Sequence, residues 1–164
     1  MDKVLKISSK IKPFKKSLNI EGDKSLSIRW SLLASQASGV SRSFNLLKSE
    51  DVIDTLNCLK KLGIKIKLNK KFCEIKGEGL NGFKYKKNII LNAGNSGTLA
   101  RLMLGLLVRS KKDIIVRGDK SLSNRDFLRV IKPLTKFGVK FKTNSGLSLP
   151  SEYLKALLVK LVRT

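Results

Sequence analysis

Apolar residues recur along this chain with two periods, and the alternation between them sketches its elements. "SLNI" at 17–20 is a short apolar stretch that reads as a strand. From 25 to 37, Trp30, Leu33, Ala34 and Ala37 fall at i, i+3, i+4 and i+7, the spacing of one helix face. A strand near 43–47 leads to "KSEDV", where Ser49 ahead of Glu50 and Asp51 signals a helix N-terminus. The helix that follows sets Val52, Leu56 and Leu59 on one side and stops at Gly63, a residue suited to the position after a helix. "IKIKL" and "FCEIKG" then alternate as half-buried strands do.

After a Gly- and Lys-rich connection at 77–88 the order returns. "IIL" at 89–91 reads as a strand, "NAGNSGT" as a turn, and 98–109 as a helix apolar on nearly every side, hence buried. "DIIV" at 113–116 is a strand, followed by a helix carrying Phe127, Ile131, Leu134 and Phe137. Pro133 inside that helix predicts a kink or a frayed first half. Gly138 precedes "VKFK", and Leu154, Leu157, Leu158 and Leu161 lie on one face of a loosely docked helix predicted over 152–163.

The second half repeats the first. "CLKKLGIKIK" at 58–67 aligns with "PLTKFGVKFK" at 133–142 at an offset of 75, and Arg29 aligns with Arg101 at an offset of 72. A strand-helix-strand-helix-strand unit therefore recurs about every 73 residues. A closer identity does not obey that period. "GDKSLSIR" at 22–29 and "GDKSLSNR" at 118–125 share seven of eight residues but stand 96 apart. Duplication explains the architecture, whereas these two turns lie at different points of their units and point to a shared task.

Composition narrows what the task can be. The chain has 164 residues, enough for one sizeable core, and 41% hydrophobic residues. Its longest apolar run, "LMLGLLV", is too short for a bilayer, and the Lys-rich start lacks the apolar core of a signal peptide. Cys58 and Cys73 read as buried free thiols of a cytoplasmic protein. There is no histidine, which excludes Ser-His-Asp and Cys-His catalysis, and two Cys make a poor zinc site. Net charge is +23, which favours anionic partners. Yet 27 of the 35 basic residues are Lys, scattered in runs no longer than two, and aromatic residues are only 6%. That pattern argues against a nucleic-acid-binding module, which is kept as an alternative class.

The turns themselves offer chemistry. Each places Gly and small polar residues at a helix start, where free N–H groups and the helix dipole attract anions. Ser25 and Arg29 are four apart and share a helix face, with Lys24 at the mouth. "NAGNSGT" supplies Asn95 and the close backbone approach of Gly97, and the second GDKS copy supplies Arg125. Arg101 reads as a brace at the core edge. The glycine spacing of a nucleotide-binding P-loop is absent. One such turn is ordinary, but three with nearby arginines point to small polyvalent anions.

"GDKSLSIRWSLLASQASG", "SEDVIDTLNCLKKLG", "NAGNSGTLARLMLGLL" and "GDKSLSNRDFLRVIKPLTKFG" occur in this order over roughly 14–150, and together they resemble the EPSP synthases, the 3-phosphoshikimate 1-carboxyvinyltransferases. The resemblance implies an α/β fold of repeated strand-helix units, the inside-out α/β barrel of the enolpyruvyl transferases, of which about two units of one domain are present. It implies transfer of the enolpyruvyl group of phosphoenolpyruvate to the 5-hydroxyl of shikimate 3-phosphate with release of phosphate, without metal or organic cofactor. Lys24, Ser25 and Arg29 would hold shikimate 3-phosphate; Lys24, Asn95, Gly97 and Arg125 would hold phosphoenolpyruvate. No residue of this chain is assigned the proton transfers, which the family draws from a second domain. The expectation is an amino-terminal domain portion at 1–150 with a divergent tail at 151–164, inactive alone, its site completed by another polypeptide. Asp126 departs from the family, which usually has Pro there. The related UDP-N-acetylglucosamine 1-carboxyvinyltransferase is the enzyme alternative.

Overall fold

The computed structural model describes residues 6, 8–10, 12–18, 20–110, 112–142 and the strand 157–161. Its elements in chain order are α1 (Lys24–Gln36), β1 (Ser38–Phe44), α2 (Glu50–Lys61), β2 (Lys65–Leu68), β3 (Phe72–Glu78), β4 (Ile89–Asn92), α3 (Gly97–Leu106), β5 (Ile114–Arg117), α4 (Lys120–Ser123), α5 (Leu128–Thr135), β6 (Val139–Lys142) and β7 (Leu157–Leu161). They form two sheets, β1-β3-β2 and β4-β5-β7-β6. In the first, β3 runs antiparallel to both neighbours, with Ser41 opposite Ile75 and Ile66 opposite Ile75. In the second, β4 and β5 are parallel and β7 is antiparallel to both β5 and β6.

The two orders are one order. With β5, β6 and β7 set against β1, β2 and β3, each unit has a closing strand inserted antiparallel between the other two. This corrects the helix expected over 152–163 at its described part: Leu157–Leu161 is a strand. The leucines at helical spacing also make a short apolar run, which periodicity alone does not assign, and the open edges of β5 and β6 supply the hydrogen-bonding partners that decide it. The rest of that segment lies outside the described residues.

Other boundaries move as well. Residues 17, 18 and 20 form no strand, and the strand expected at 43–47 is instead β1 at 38–44, where Gly39 and alternating serines concealed it. The helix 98–109 runs from Gly97 to Leu106, and Leu102 is exposed, so it is not buried on all sides. The Phe127–Phe137 helix is broken: α4 ends at Ser123, α5 begins at Leu128, and Phe137 lies beyond it, exposed. Pro133 stands inside α5, which ends two residues later.

The face that α1 buries is the least expected. Leu26 and Leu33 are 67% and 69% exposed, while Ser27, Ile28, Ser31, Leu32, Ala34 and Ser35 are buried. The serines cost little because their hydroxyls are satisfied nearby. Ser31 donates to Ser27 O at 2.8 Å, Ser35 donates to Leu32 O at 2.6 Å, and Ser27 Oγ accepts from Leu47 N at 3.1 Å. Small side chains let α1 lie directly on β3, where a Cβ at Gly77 would collide with the carbonyl oxygens of Ala34 and Ala37. The core then runs continuously from Ile28 and Leu32 through Leu56 and Leu59 to Leu99, Met103, Ile114 and Ile131.

Candidate functional site

The two GDKS turns have the same local structure. Asp23 Oδ1 accepts from Leu26 N at 2.7 Å, and Asp119 Oδ1 accepts from Leu122 N at 2.7 Å. Each aspartate is an N-cap that satisfies an otherwise unpaired N–H of the first turn, leaving the following Lys and Ser at the helix mouth. Beyond the sixth residue they diverge. α1 continues for 13 residues, whereas α4 stops after four and Asp126 Oδ1 accepts from Leu128 N at 2.7 Å to begin α5. Asp126, the departure from the family pattern, thus spends its carboxylate on a backbone N–H of α5.

The three turns form one row, linked through the start of α2. Lys24 Nζ pairs with Asp51 Oδ2 at 3.1 Å. One helical turn on, the Asp54 carboxylate abuts Gly94 of the "NAGNSGT" turn. Gly94 O accepts from Asp119 N of the second GDKS turn at 2.8 Å, and Arg125 donates to Asn95 Oδ1. Gly22 permits the first turn to press against the loop after β1, where a Cβ would strike Asn45 O. Asn45 also donates to Ile20 O at 2.8 Å. Every residue expected to bind an anion therefore lies on one of these linked turns or within the short helical stretch that follows it.

Two groups emerge within the row. At α1, Lys24 and Arg29 are exposed and Ser25 is half-buried; Arg29 Nη1 donates to Ser25 O at 3.1 Å, folding the guanidinium back along its helix. At α3, Ser96 caps the helix by accepting from Leu99 N at 3.3 Å, and Gly97 opens it. A Cβ on Gly97 would stand 2.8 Å from Arg101 Nη1 and 3.0 Å from Arg125 Nη1. Two guanidinium groups converge on a helix N-terminus. Their Coulomb repulsion and the positive end of the helix dipole are relieved together by an anion. No carboxylate pairs with either arginine among the described residues. Arg101 was missed as a member of this group. Its offset of 72 from Arg29 was the available signal, because it places an arginine at the matching turn of the matching helix.

The expected cap at Ser49 forms only in backbone. Ser49 occupies the N-cap position of α2 but its hydroxyl makes no capping bond. Glu50, Asp51 and Asp54 crowd the first two turns of this helix. Burial, and then the charges of Glu50 and Asp51, raise the Asp54 pKa above the ordinary carboxylate value. The thiols are inert by comparison. Burial pushes Cys58 up to about 12 and Cys73 up to about 11, and Cys58 Sγ donates to Asn92 O at 3.2 Å.

Comparison with known proteins shows the family. Residues 8–159 match the family model for EPSP synthase (3-phosphoshikimate 1-carboxyvinyltransferase). The chain is 44% identical over 129 residues to the 3-phosphoshikimate 1-carboxyvinyltransferase of Ruthia magnifica subsp. Calyptogena magnifica, covering 79% of this chain and 29% of that protein. It is 37% identical over 146 residues to the enzyme of the same name from Streptococcus suis, covering 89% of this chain and 34% of that protein. The structure of EPSP synthase from Acinetobacter baumannii superposes with a TM-score of 0.76 at 32% identity, covering 87% of this chain and 31% of the other. This chain spans about a third of the length of these relatives. Its repeated units have the enolpyruvyl transferase fold, and the chain belongs to the EPSP synthase family.

Proposed function

We propose that this chain contributes the substrate-anion turns of a 3-phosphoshikimate 1-carboxyvinyltransferase. In this reading Lys24, Ser25 and Arg29 hold shikimate 3-phosphate, and Lys24, Asn95, Gly97 and Arg125 hold phosphoenolpyruvate. The observation that supports it is the convergence of Arg101 and Arg125 on Gly97 at the start of α3, in the same row of turns as Lys24. Such a group offers a dianion the oriented N–H donors of the helix start and the Arg125 fork, with Lys24 in the same row of turns for a second anion. The reaction then joins the two by forming a C–O bond from the 5-hydroxyl to the enol carbon and releasing phosphate. Asp51 is the counter-ion of Lys24 without ligand, and a bound anion would compete with it. The proton transfers require groups from another polypeptide segment, which is the partner this reading adds. A cytoplasmic location accompanies it. No helix of the described residues is long and apolar enough to cross a membrane.

Calorimetric titration of the 164-residue chain with shikimate 3-phosphate tests the reading directly. Arg29→Ala removes one charge-assisted hydrogen bond, about 1.5–3 kcal/mol, and should weaken binding about 10- to 150-fold. Equal affinity of the two proteins refutes the assignment.

A further inference from the structure

Arg125 is the phosphoenolpyruvate-binding residue of this reading with the least regular backbone beneath it. It sits in the break between α4 and α5, one residue past the C-cap Asn124 and two before the N-cap Phe127. Asn95 and Ser121 accept from its Nη2, the latter at 3.5 Å, yet both are themselves on turns or on a four-residue helix. A long flexible side chain on such a break needs something rigid to hold its backbone. Arg101 is placed to do so from the second turn of the ten-residue α3. Its Nη2 donates to Asp126 O at 3.0 Å, and its guanidinium lies over the Phe127 ring at 5.1 Å. Its Nη1 occupies the same side of Gly97 as Arg125 Nη1. Arg101 thus grips the two residues that follow Arg125. Its Nε is buried and makes no hydrogen bond within the protein, so local hydrogen bonding at that atom does not account for its burial.

We propose that Arg101 is the positioning residue of the phosphoenolpyruvate subsite. It acts through Arg125, fixing the 125–127 backbone so that the Arg125 fork stands over the Gly97 N-terminus. The ligand half of this inference rests on the functional reading above; the positioning half does not. Only a planar fork serves both contacts at once, because the group must donate in plane to Asp126 O while stacking on Phe127. Lysine keeps the charge and loses that geometry.

The test uses the full 164-residue chain, labelled with nitrogen-15, and the variants Arg101→Ala, Arg101→Lys, Arg125→Ala and Arg101→Ala/Arg125→Ala. Without ligand, the Arg125 Nε–Hε signal should be resolved and shifted in the wild type. It should move to the exposed-arginine position in both Arg101 variants, while the amide signals of β1–β3 stay in place as the check on folding. With phosphoenolpyruvate, and separately with inorganic phosphate, Arg101→Ala and Arg101→Lys should each weaken the response at the Gly97 amide about tenfold. In the Arg125→Ala background the loss of Arg101 should change nothing further. An unmoved Arg125 signal overturns the proposal. So does a second, multiplicative loss in the double variant, which would mean that Arg101 meets the anion by itself. A wild type that binds neither probe, with the Arg125 signal nevertheless shifted by the variants, refutes the functional reading and upholds the positioning.

Discussion

Replacing Gly97 by Ala separates the stability of this fold from its capacity to hold an anion. The position is the first residue of α3, with helical backbone on which alanine is at least as favourable as glycine. The new methyl would lie 2.8 Å from Arg101 Nη1 and 3.0 Å from Arg125 Nη1. An ordinary carbon–nitrogen contact is about 3.5 Å, so the guanidiniums must retreat by about 0.5–0.7 Å. Both are ends of flexible side chains and can move without disturbing the core, although Arg101 loosens its hold on Asp126 O and Phe127, so the unfolding midpoint should stay about level. The retreat is nevertheless comparable with the tolerance of a charge-assisted hydrogen bond, and the methyl occupies the space above the helix N–H groups. Losing one such bond, about 1.5–3 kcal/mol, corresponds to phosphoenolpyruvate binding weakened about 10- to 150-fold. Chemical denaturation and calorimetry on the same preparation supply the two readings. Undiminished affinity in a folded Gly97→Ala protein would refute the placement of the anion at this helix start. A large loss of stability would refute the claim that the two arginines yield freely.

The remaining expectations use the same preparation. The raised Asp54 pKa means that the folded protein holds this proton more tightly than the unfolded chain, so its favourable contribution is complete below the ordinary value of 3.8 and lost as pH rises through the raised one. Asp54→Asn, which keeps the shape of the protonated form, should therefore gain stability at pH 7, where it removes first the burial of a charge and then its repulsion by Glu50, about 0.2–0.5 kcal/mol for an i,i+4 pair, and by Asp51, and should gain nothing at pH 3; an equal gain at both pH values would contradict this. With thiols at about 12 and about 11, Cys58 and Cys73 should resist alkylation at pH 8 in the folded protein and react within minutes in denaturant. Rapid labelling of the native state would mean that one of them is not buried. The 164-residue polypeptide by itself should release no phosphate from the two substrates. It has no histidine, Asp23 and Asp119 are occupied as caps, Asp126 accepts from Leu128 N, Asp51 is ion-paired, and Asp54 faces the backbone of Gly94. Steady substrate-dependent release, abolished by Lys24→Ala, would show that these residues suffice.

What could be read in advance depended on whether the local signal and the packing agreed. α2 and the β2–β3 pair were legible because amphipathic spacing, a Gly at the helix stop and strict alternation all point the same way. α1 was placed correctly, with Ala34 buried and Trp30 partly so, but Leu33 faces outward, since much of the interior contact is made by serines whose hydroxyls bond to their own helix, a pattern that hydropathy reads as solvent-facing. β1 was shifted by its glycine and serines, which carry little strand signal of their own and are held by pairing with β3. β7 needed the repeat rather than the local spacing: β3 closes the first unit between β1 and β2, so the second unit required a closing strand after β6. At the site, the turns of Lys24, Asn95 and Arg125 were visible as motifs. Arg101 was not, because its role depends on Asp126 and Phe127, which are brought to it only by the break between α4 and α5.

The contact between α1 and Gly77 makes the first helix a lever. Ala34 and Ala37 rest on β3 with no side chain between the backbones, while Ser25 sits nine residues up the same rod, about 14 Å away along the axis. A methyl at position 77 would have to lift that end by about 1 Å, since the obstacle is carbonyl oxygen and no rotamer change clears it. The helix would tilt about its middle, and the mouth that presents Lys24 and Ser25 would swing the opposite way. A substitution in the sheet at the opposite end of the helix, touching no ligand, would then misalign the first anion turn relative to α2 while leaving the second turn at Gly97 where it was.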